Sequence, residues 1–301
     1  MIDALIRRID ALKNPTVVGL DPTLEMIPGY LKEEMFARYG KTPEAVAEMF
    51  LAFNTAIMDA VKDIVPAVKP QIAFYERFGI AGLAAYEKTA ALAREKGFIV
   101  IGDIKRGDIG STAAAYAAHI GGTEIEGEKF DLWHEDFITV NPYLGVDGIK
   151  PFVDACNAAN KGIFVLVKTS NPSSGELQDK LVDGRPVYLR VADLVSEWGK
   201  DSMGELGYSR VCAVVGATHP EEGERAREAL PHTFFLVPGY GAQGGKAEDI
   251  RRFFDKDGRG CIVNSSRGII AAYRKSEKYG EKNFADAARD AAIAMQKDLL
   301  G

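Results

Sequence analysis

Eight short apolar runs, each followed by a stretch with helical spacing, predict an α/β protein built as a single (β/α)8 TIM barrel. The alternation repeats along 301 residues with no second composition regime, so one domain over residues 1–301 is expected. An open doubly wound sheet has the same local pattern, and periodicity does not separate the two. The polar residues do. Asp21, Asp103 with Lys105, Asn141, Ser170 and a glycine-rich segment after the seventh run all fall at the C-terminal ends of runs. Those ends converge on one face in a barrel, which is where barrel enzymes keep their chemistry.

The elements follow in order. Residues 1–13 carry apolar positions at helical spacing (Ile2, Leu5, Ile6, Ile9, Leu12). The first strand is 16–21, ending in Asp21 and then Pro22. Thr42 followed by Pro43 is a cap-then-proline start for a helix running to about 65. A strand over 67–74 contains Lys69, and a helix over 81–96 precedes the central strand, 98–104. Ser111 is a candidate cap for a helix over 111–119, after which 121–135 reads as an excursion. Strands are expected over 136–141, 162–168, 210–216, 233–238 and 260–264. Helices are expected over 147–159, from near Pro186, over 220–229, over 247–254 and over 284–299.

Composition excludes several function classes. Hydrophobic residues make up 47% and charged residues 27%, ordinary for a globular protein, and the net charge of −6 offers no basic face for nucleic acid. No apolar run approaches 18 residues, and the N-terminal residues lack a signal-peptide core, so no membrane partner is expected. The three cysteines, Cys156, Cys212 and Cys261, are odd in number and far apart, and two lie in apolar runs. Buried inert thiols and a reduced, cytoplasmic enzyme fit that pattern. The four histidines show no ligand spacing and read as structural or surface residues; no cluster resembles a metal site.

One stretch stands out for chemistry. Residues 98–112 begin as a buried strand and then set Asp103, Lys105 and Asp108 within six positions. Alternation puts Asp103 and Lys105 on one side of the strand. Three charges of alternating sign after a buried strand are costly to desolvate unless they pair, and such arrays hold perturbed protonation states. Lys69 lies on the neighbouring strand and gains weight from that position, since a lone strand lysine ordinarily snorkels to solvent. A second segment, Pro238-Gly-Tyr-Gly-Ala-Gln-Gly-Gly245, satisfies Gly-x-Gly-x-x-Gly literally. As a dinucleotide fingerprint it fails, because the acid required about 20 residues on would fall near Asn264. A phosphate cradle fits better: loops after strands seven and eight of a barrel commonly bind phosphate, and Arg267 after strand eight supplies a guanidinium.

The spacing Asp-x-Lys-x-x-Asp-Ile-x-x-Thr over Asp103 to Thr112 resembles the active-site motif of the orotidine 5'-phosphate decarboxylase family. Gly19-Leu-Asp21, Lys69-Pro70, Thr169-Ser-Asn-Pro172, and the pair Pro238 to Gln243 with Ser266-Arg-Gly268 match the same family in order. The resemblance implies conversion of orotidine 5'-phosphate to UMP without a cofactor. It implies that Lys69, Asp103, Lys105 and Asp108 form a charged array at the pyrimidine, with Lys105 donating the proton to C6 and Asp103 facing the substrate carboxylate. Asp108 and Thr112 would complete the site of a partner subunit in a homodimer. Asp21 would hold a ribose hydroxyl, Ser170 the pyrimidine edge, and Gln243 with Arg267 the phosphate. The chain also resembles the longer bacterial subgroup, its excess falling at 22–42, 121–135, 173–187 and 270–283. The main alternative is a Mg²⁺-dependent sugar-phosphate decarboxylase or aldolase on the same barrel, which would need an additional acidic ligand where this chain has Lys69. A Schiff-base aldolase would use a strand-end lysine such as Lys168, and a non-catalytic phosphate-binding barrel would leave the charge array unexplained.

Overall fold

Thr16–Leu20 (β1) is buried at all five positions, as a strand must be when one face looks into a barrel and the other onto helices. Seven more strands follow, buried at most or all of their positions: Ala67–Pro70 (β2), Ile99–Arg106 (β3), Phe137–Val140 (β4), Gly162–Lys168 (β5), Ser209–Val215 (β6), Thr233–Val237 (β7) and Cys261–Ser265 (β8). In the computed structural model, which describes residues 1–241 and 244–301, these eight strands close into a parallel barrel in the order β1-β8-β7-β6-β5-β4-β3-β2. Closure is made by β1, which pairs with β8 (Val17 opposite Asn264) and with β2 (Gly19 opposite Lys69).

Ile2–Leu12 (α1) packs against the interior of the barrel, and the outer layer comprises Gly29–Tyr39 (α2), Pro43–Val61 (α3), Gly79–Glu95 (α4), Gly110–Gly121 (α5), Val146–Ala159 (α6), Val187–Gly199 (α7), Pro220–Ala229 (α8) and Phe284–Leu300 (α9). Period-two alternation sorts the strand side chains into two cores. Val17, Ala67, Ile101, Phe137, Phe164, Cys212, Phe234 and Ile262 pack inside the barrel, where Ile2, Leu5 and Ile6 of α1 join them. Val18, Val68, Val100, Ile138, Val165, Val211 and Phe235 face the other way and pack with residues of the outer helices. The lower barrel is therefore filled by apolar side chains, which leaves the polar ends of the strands for the site.

Several boundaries differ from the sequence expectation. β2 stops at Pro70 instead of running to Phe74, because Ile72 turns helical, Gln71 Oε1 accepts the Ala73 N–H at 3.2 Å, and Ala73–Glu76 forms a helical turn. Ser111 is not a cap: the helix begins at Gly110, Ile109 holds the cap position, and no side chain bonds there. Thr42 does cap α3, accepting the Ala45 N–H at 3.2 Å, but that helix ends at Val61. Only Ala247–Ile250 of the helix expected over 247–254 is α-helical, with a tighter turn over Arg251–Phe253. The excursion at 121–135 contains a two-stranded antiparallel hairpin, Thr123–Ile125 with Glu128–Phe130, and 173–187 contains a shorter one, Leu181–Val182 with Arg185–Pro186. No helix among the described residues is long and apolar enough to cross a membrane. All three cysteines are free and buried, and burial pushes each thiol up.

Behind β3 lies a buried polar cluster. Glu135 accepts from Tyr86 and lies 2.8 Å from His119 Nδ1, and the His119 ring stacks on Trp133 at 4.4 Å. The carboxylate occupies space that Gly102 leaves open: a Cβ there would fall 2.0 Å from Glu135 Oε1. Gly102→Ala should therefore destabilise the fold by about 2–3 kcal/mol through overpacking, read as a lowered urea midpoint with an unchanged slope.

Candidate active site

The C-terminal ends of the strands surround a cavity of about 820 Å³, whose lining includes Asp21, Lys69, Asp103, Lys105, Ser170 and Arg267. Register places the first of these groups. Lys69 stands opposite Gly19 on β1, so no side chain from β1 competes for its space. Its ammonium is buried, with the side chain 5% exposed, and Nζ donates to Asp103 Oδ2 at 2.7 Å. The other carboxylate oxygen accepts from Lys105 Nζ at 2.5 Å and from Thr139 Oγ1 at 2.9 Å.

Lys105 reaches Asp103 by an irregular route. Gly102 pairs with Ile138 and Arg106 with Val140, so three residues of β3 oppose the single Thr139 of β4. Lys105 sits in this bulge with φ at +48°, a left-handed conformation that costs a non-glycine residue about 1–2 kcal/mol. Its N–H donates to Thr139 Oγ1 at 2.9 Å. Thr139 thus holds both the Asp103 carboxylate and the strained backbone that aims Lys105. Sequence reasoning missed it, although its inward position in Phe-Ile-Thr-Val was a readable signal.

Burial works against the charge on Asp103, but the ammonium groups of Lys69 and Lys105 outweigh it and hold the carboxyl well below the usual range. Burial likewise opposes the Lys69 charge, and attraction to Asp103 and Asp21 raises its pKa nonetheless. The pair is a carboxylate and an ammonium across the physiological range, with Lys105 next to them but 46% exposed to the cavity.

Asp21 is held from the opposite edge of the closure. Ser266 Oγ donates to Asp21 Oδ2 at 2.6 Å, and Asn264 Nδ2 points to the same hydroxyl at 3.4 Å. A Cβ on Gly19 would lie 1.9 Å from that Ser266 oxygen, which explains the glycine in Gly19-Leu-Asp21. Arg267 opens a single helical turn, Arg267–Ile270, is exposed, and makes no ion pair with the described residues. Across from it, after β7, Gly241 N–H donates to the Gly245 carbonyl at 2.9 Å, and Pro238 and Gly239 line the cavity. Gln243 lies outside the described residues.

Three sequence candidates do not reach this cavity. Asp108 is half-buried and its Oδ1 accepts the neighbouring Ile109 N–H at 2.8 Å; Thr112 is exposed on α5, and neither lines the cavity. Lys168 is turned away. Leu166 pairs with Val214, but Lys168 pairs with Val215, and this one-residue slip sends Lys168 outward with Val215. A Schiff-base role for Lys168 is thereby removed. Among the described residues no group of three or more His, Cys, Asp or Glu side chains could hold a metal ion.

The pairing predicts unequal costs. Asp103→Ala strands the buried Lys69 ammonium and should cost about 3–5 kcal/mol of stability, whereas Lys105→Ala removes a half-exposed partner and should cost less than about 1 kcal/mol. In the wild type the Asp103 contribution is present above its ordinary pKa of 3.8 and is lost as pH falls through the depressed one. The Lys69 contribution is present below 10.5 and is lost as pH rises through the raised one. Urea midpoints across pH should therefore show the Asp103→Ala deficit undiminished between these limits.

Comparison with known proteins identifies the family. Residues 17–281 match the family described as "Orotidine 5'-phosphate decarboxylase / HUMPS family". An orotidine 5'-phosphate decarboxylase of Rhodopirellula baltica is 47% identical over 290 residues, covering 95% of this chain and 94% of its own. One of Clostridium tetani is 43% identical over 303 residues, covering 100% and 98%. Among solved structures, Leishmania donovani OMP decarboxylase superimposes with a TM-score of 0.73 at 30% identity, covering 98% of each chain. The chain belongs to the orotidine 5'-phosphate decarboxylase / HUMPS family.

Proposed function

We propose that the Lys69–Asp103–Lys105 array, completed by Asp108 and Thr112 of a second subunit, is the machinery with which this chain decarboxylates orotidine 5'-phosphate to UMP. The reaction itself is the one carried by the family and by relatives that match nearly the whole chain. The observation that supports the mechanism best is a half-exposed ammonium, Lys105, held 2.5 Å from a buried carboxylate at the floor of the cavity.

Breaking the C6–carboxylate bond releases CO₂ and leaves the electron pair on C6, where no carbonyl can delocalise it as an enolate. The site must then supply electrostatic stabilisation itself. Lys105 stabilises the developing charge, donates a proton to C6, and recovers one from solvent after product leaves. Asp103 faces the substrate carboxylate, and Lys69 keeps Asp103 ionised and fixed. Asp21 takes a ribose hydroxyl, Ser170 the pyrimidine edge, and Arg267 with Gln243 the phosphate. Binding at the phosphate supplies free energy for positioning at the reacting carbon, which is how a remote group raises kcat. No step uses a cofactor.

The metal-dependent alternative lacks support. A Mg²⁺ bound by Asp103 would compete with Lys69, Lys105 and Thr139, which already engage both carboxylate oxygens. The two-subunit site is supported by the surroundings of Asp108. Ile109, Tyr143, Leu144 and Val146 are exposed apolar side chains on the segments flanking it, and the Asp108 carbonyl packs on Gly148 of α6. An apolar rim around an acid that does not line the cavity described above fits a covered interface. The reading includes one barrel domain over residues 1–301 and a cytoplasmic location, where reduced thiols persist.

Loss of orotidine 5'-phosphate absorbance should proceed undiminished in excess EDTA, and Lys105→Ala should lower kcat by about 10³-fold or more. Dependence on added Mg²⁺ would overturn the cofactor-free reading. Lys105→Ala and Asp108→Ala proteins, each inactive alone, should regain activity when mixed, since each hybrid dimer keeps one wild-type shared site. A mixture that exchanges subunits yet stays inactive would sink the shared site.

A further inference from the structure

Lys168 is the buried charge that the proposed mechanism does not use. Its side chain is 0% exposed, and its partner is Asp179 from the 173–187 insertion, whose side chain is 44% exposed. The ammonium also lies 5.6 Å from the centre of the Tyr188 ring, at the start of α7. Among the described residues, Asp179 is the one carboxylate that Lys168 pairs with. Withdrawing Asp179 would leave an unpaired ammonium in a dry site, which is strongly unfavourable.

The same segment is tied to the strand end at a second point. Gln178 Oε1 accepts the Thr169 N–H at 2.9 Å, and Gln178 Nε2 donates to Thr169 Oγ1 at 2.7 Å. The insertion is pinned behind these residues, with Val187 N–H donating to Lys180 O and Tyr188 N–H to Gln178 O, both at 2.9 Å. Ser170 lies next to these anchored residues. Its carbonyl accepts from Thr218 Oγ1 at 3.0 Å, and its backbone lies so close to Gly216 that a Cβ there would fall 2.8 Å away. Residues 168 and 169 are thus fixed from the insertion, and residue 170 from the β6 end.

We infer that Lys168, Asp179 and Gln178 form a latch that closes the insertion onto the end of β5 and sets Ser170 in place before substrate arrives. Lys168 and its partners are positioning residues. The inference rests on the reading that Ser170 meets the pyrimidine. It assigns the insertion a purpose: ordering of this part of the mouth is built into the chain, so substrate binding does not have to supply it.

The test pairs hydrogen exchange with steady-state kinetics, using UMP as the probe ligand. A Lys168→Met, Asp179→Asn double variant removes both charges together and leaves no buried charge stranded. Amides of residues 170–187 should be protected in the ligand-free wild type. In the double variant they should exchange about 10-fold faster without UMP and regain protection with saturating UMP. KM should rise about 10-fold while kcat stays within about 3-fold, as expected when a ligand must order its own site. If the double variant does not fold, Gln178→Ala tests the second tie by the same two readouts. Unchanged exchange overturns the latch, as does faster exchange with KM unmoved. Ser170→Ala separates the two readings: if it leaves KM and kcat unchanged, the role given to Ser170 fails, and exchange alone then decides the latch.

Discussion

An ammonium sealed inside a protein needs a counter-charge, and in this barrel that requirement falls on Lys69. It stands on a strand buried at every position, with its side chain almost wholly out of water. Asp103 answers it from β3, and that commitment fixes one oxygen of a carboxylate whose other oxygen is shared by Lys105 and Thr139. The pair is poor as a stabilising device, because desolvation consumes most of the Coulombic gain. Its value is orientation. A carboxylate with both oxygens engaged cannot rotate, and the ammonium that leans on it from the cavity side is aimed with it.

Orientation is also the reason β3 is irregular. A regular strand would present Asp103 and Lys105 in parallel, two residues apart and roughly 6–7 Å along the backbone. The bulge opposite Thr139, with Lys105 in the left-handed region, turns the lysine back so that its Nζ meets the carboxylate. Backbone strain of this kind persists only where the surroundings over-determine it, and Thr139 does so by accepting from the Lys105 N–H. A similar slip on β5 has the opposite effect, turning Lys168 out of the barrel. One irregularity brings a lysine to the cavity and the other removes one.

The barrel and its charged strand end were legible in the sequence because each rests on local information. Buried strands read as apolar runs, and Asp103, Lys105 and Lys69 interrupt such runs with charges that only pairing can justify. What stayed hidden depends on which strands become neighbours or on where a strand slips. Ser266 supports Asp21 across the closure of β1 on β8, a contact between residues 245 positions apart. Alternation marks Thr139 as inward, but its two partners appear only once the bulge sets Lys105 and Asp103 against it. Lys168 reads simply as a strand-end lysine, because the slip through Val167 that turns it outward leaves no mark in the hydrophobic pattern. Boundaries failed for a related reason: β2 ends early because Gln71 finds a local hydrogen bond that starts a helical turn, a competition invisible to hydrophobic pattern.

Closure has a further consequence for the proposed reaction. Arg267 follows β8, Asp21 follows β1, Lys69 is on β2, and Asp103 with Lys105 is on β3; these four strands are consecutive around the barrel. Under the proposed assignment, that order is phosphate, ribose and reacting ring, the order of groups along a nucleoside monophosphate. A substrate laid across this half of the mouth meets a cation at its phosphate and the mixed charges of β3 at C6. The anchor and the chemistry are then separated by the width of two intervening strands, each about 4.8 Å from the next. That separation lets binding energy be realised far from the bond that breaks, so that tight phosphate binding need not place an extra full charge against the carbanion. Parallel strands in a closed ring make this possible, because all the ends point one way and neighbours in space can be distant in sequence.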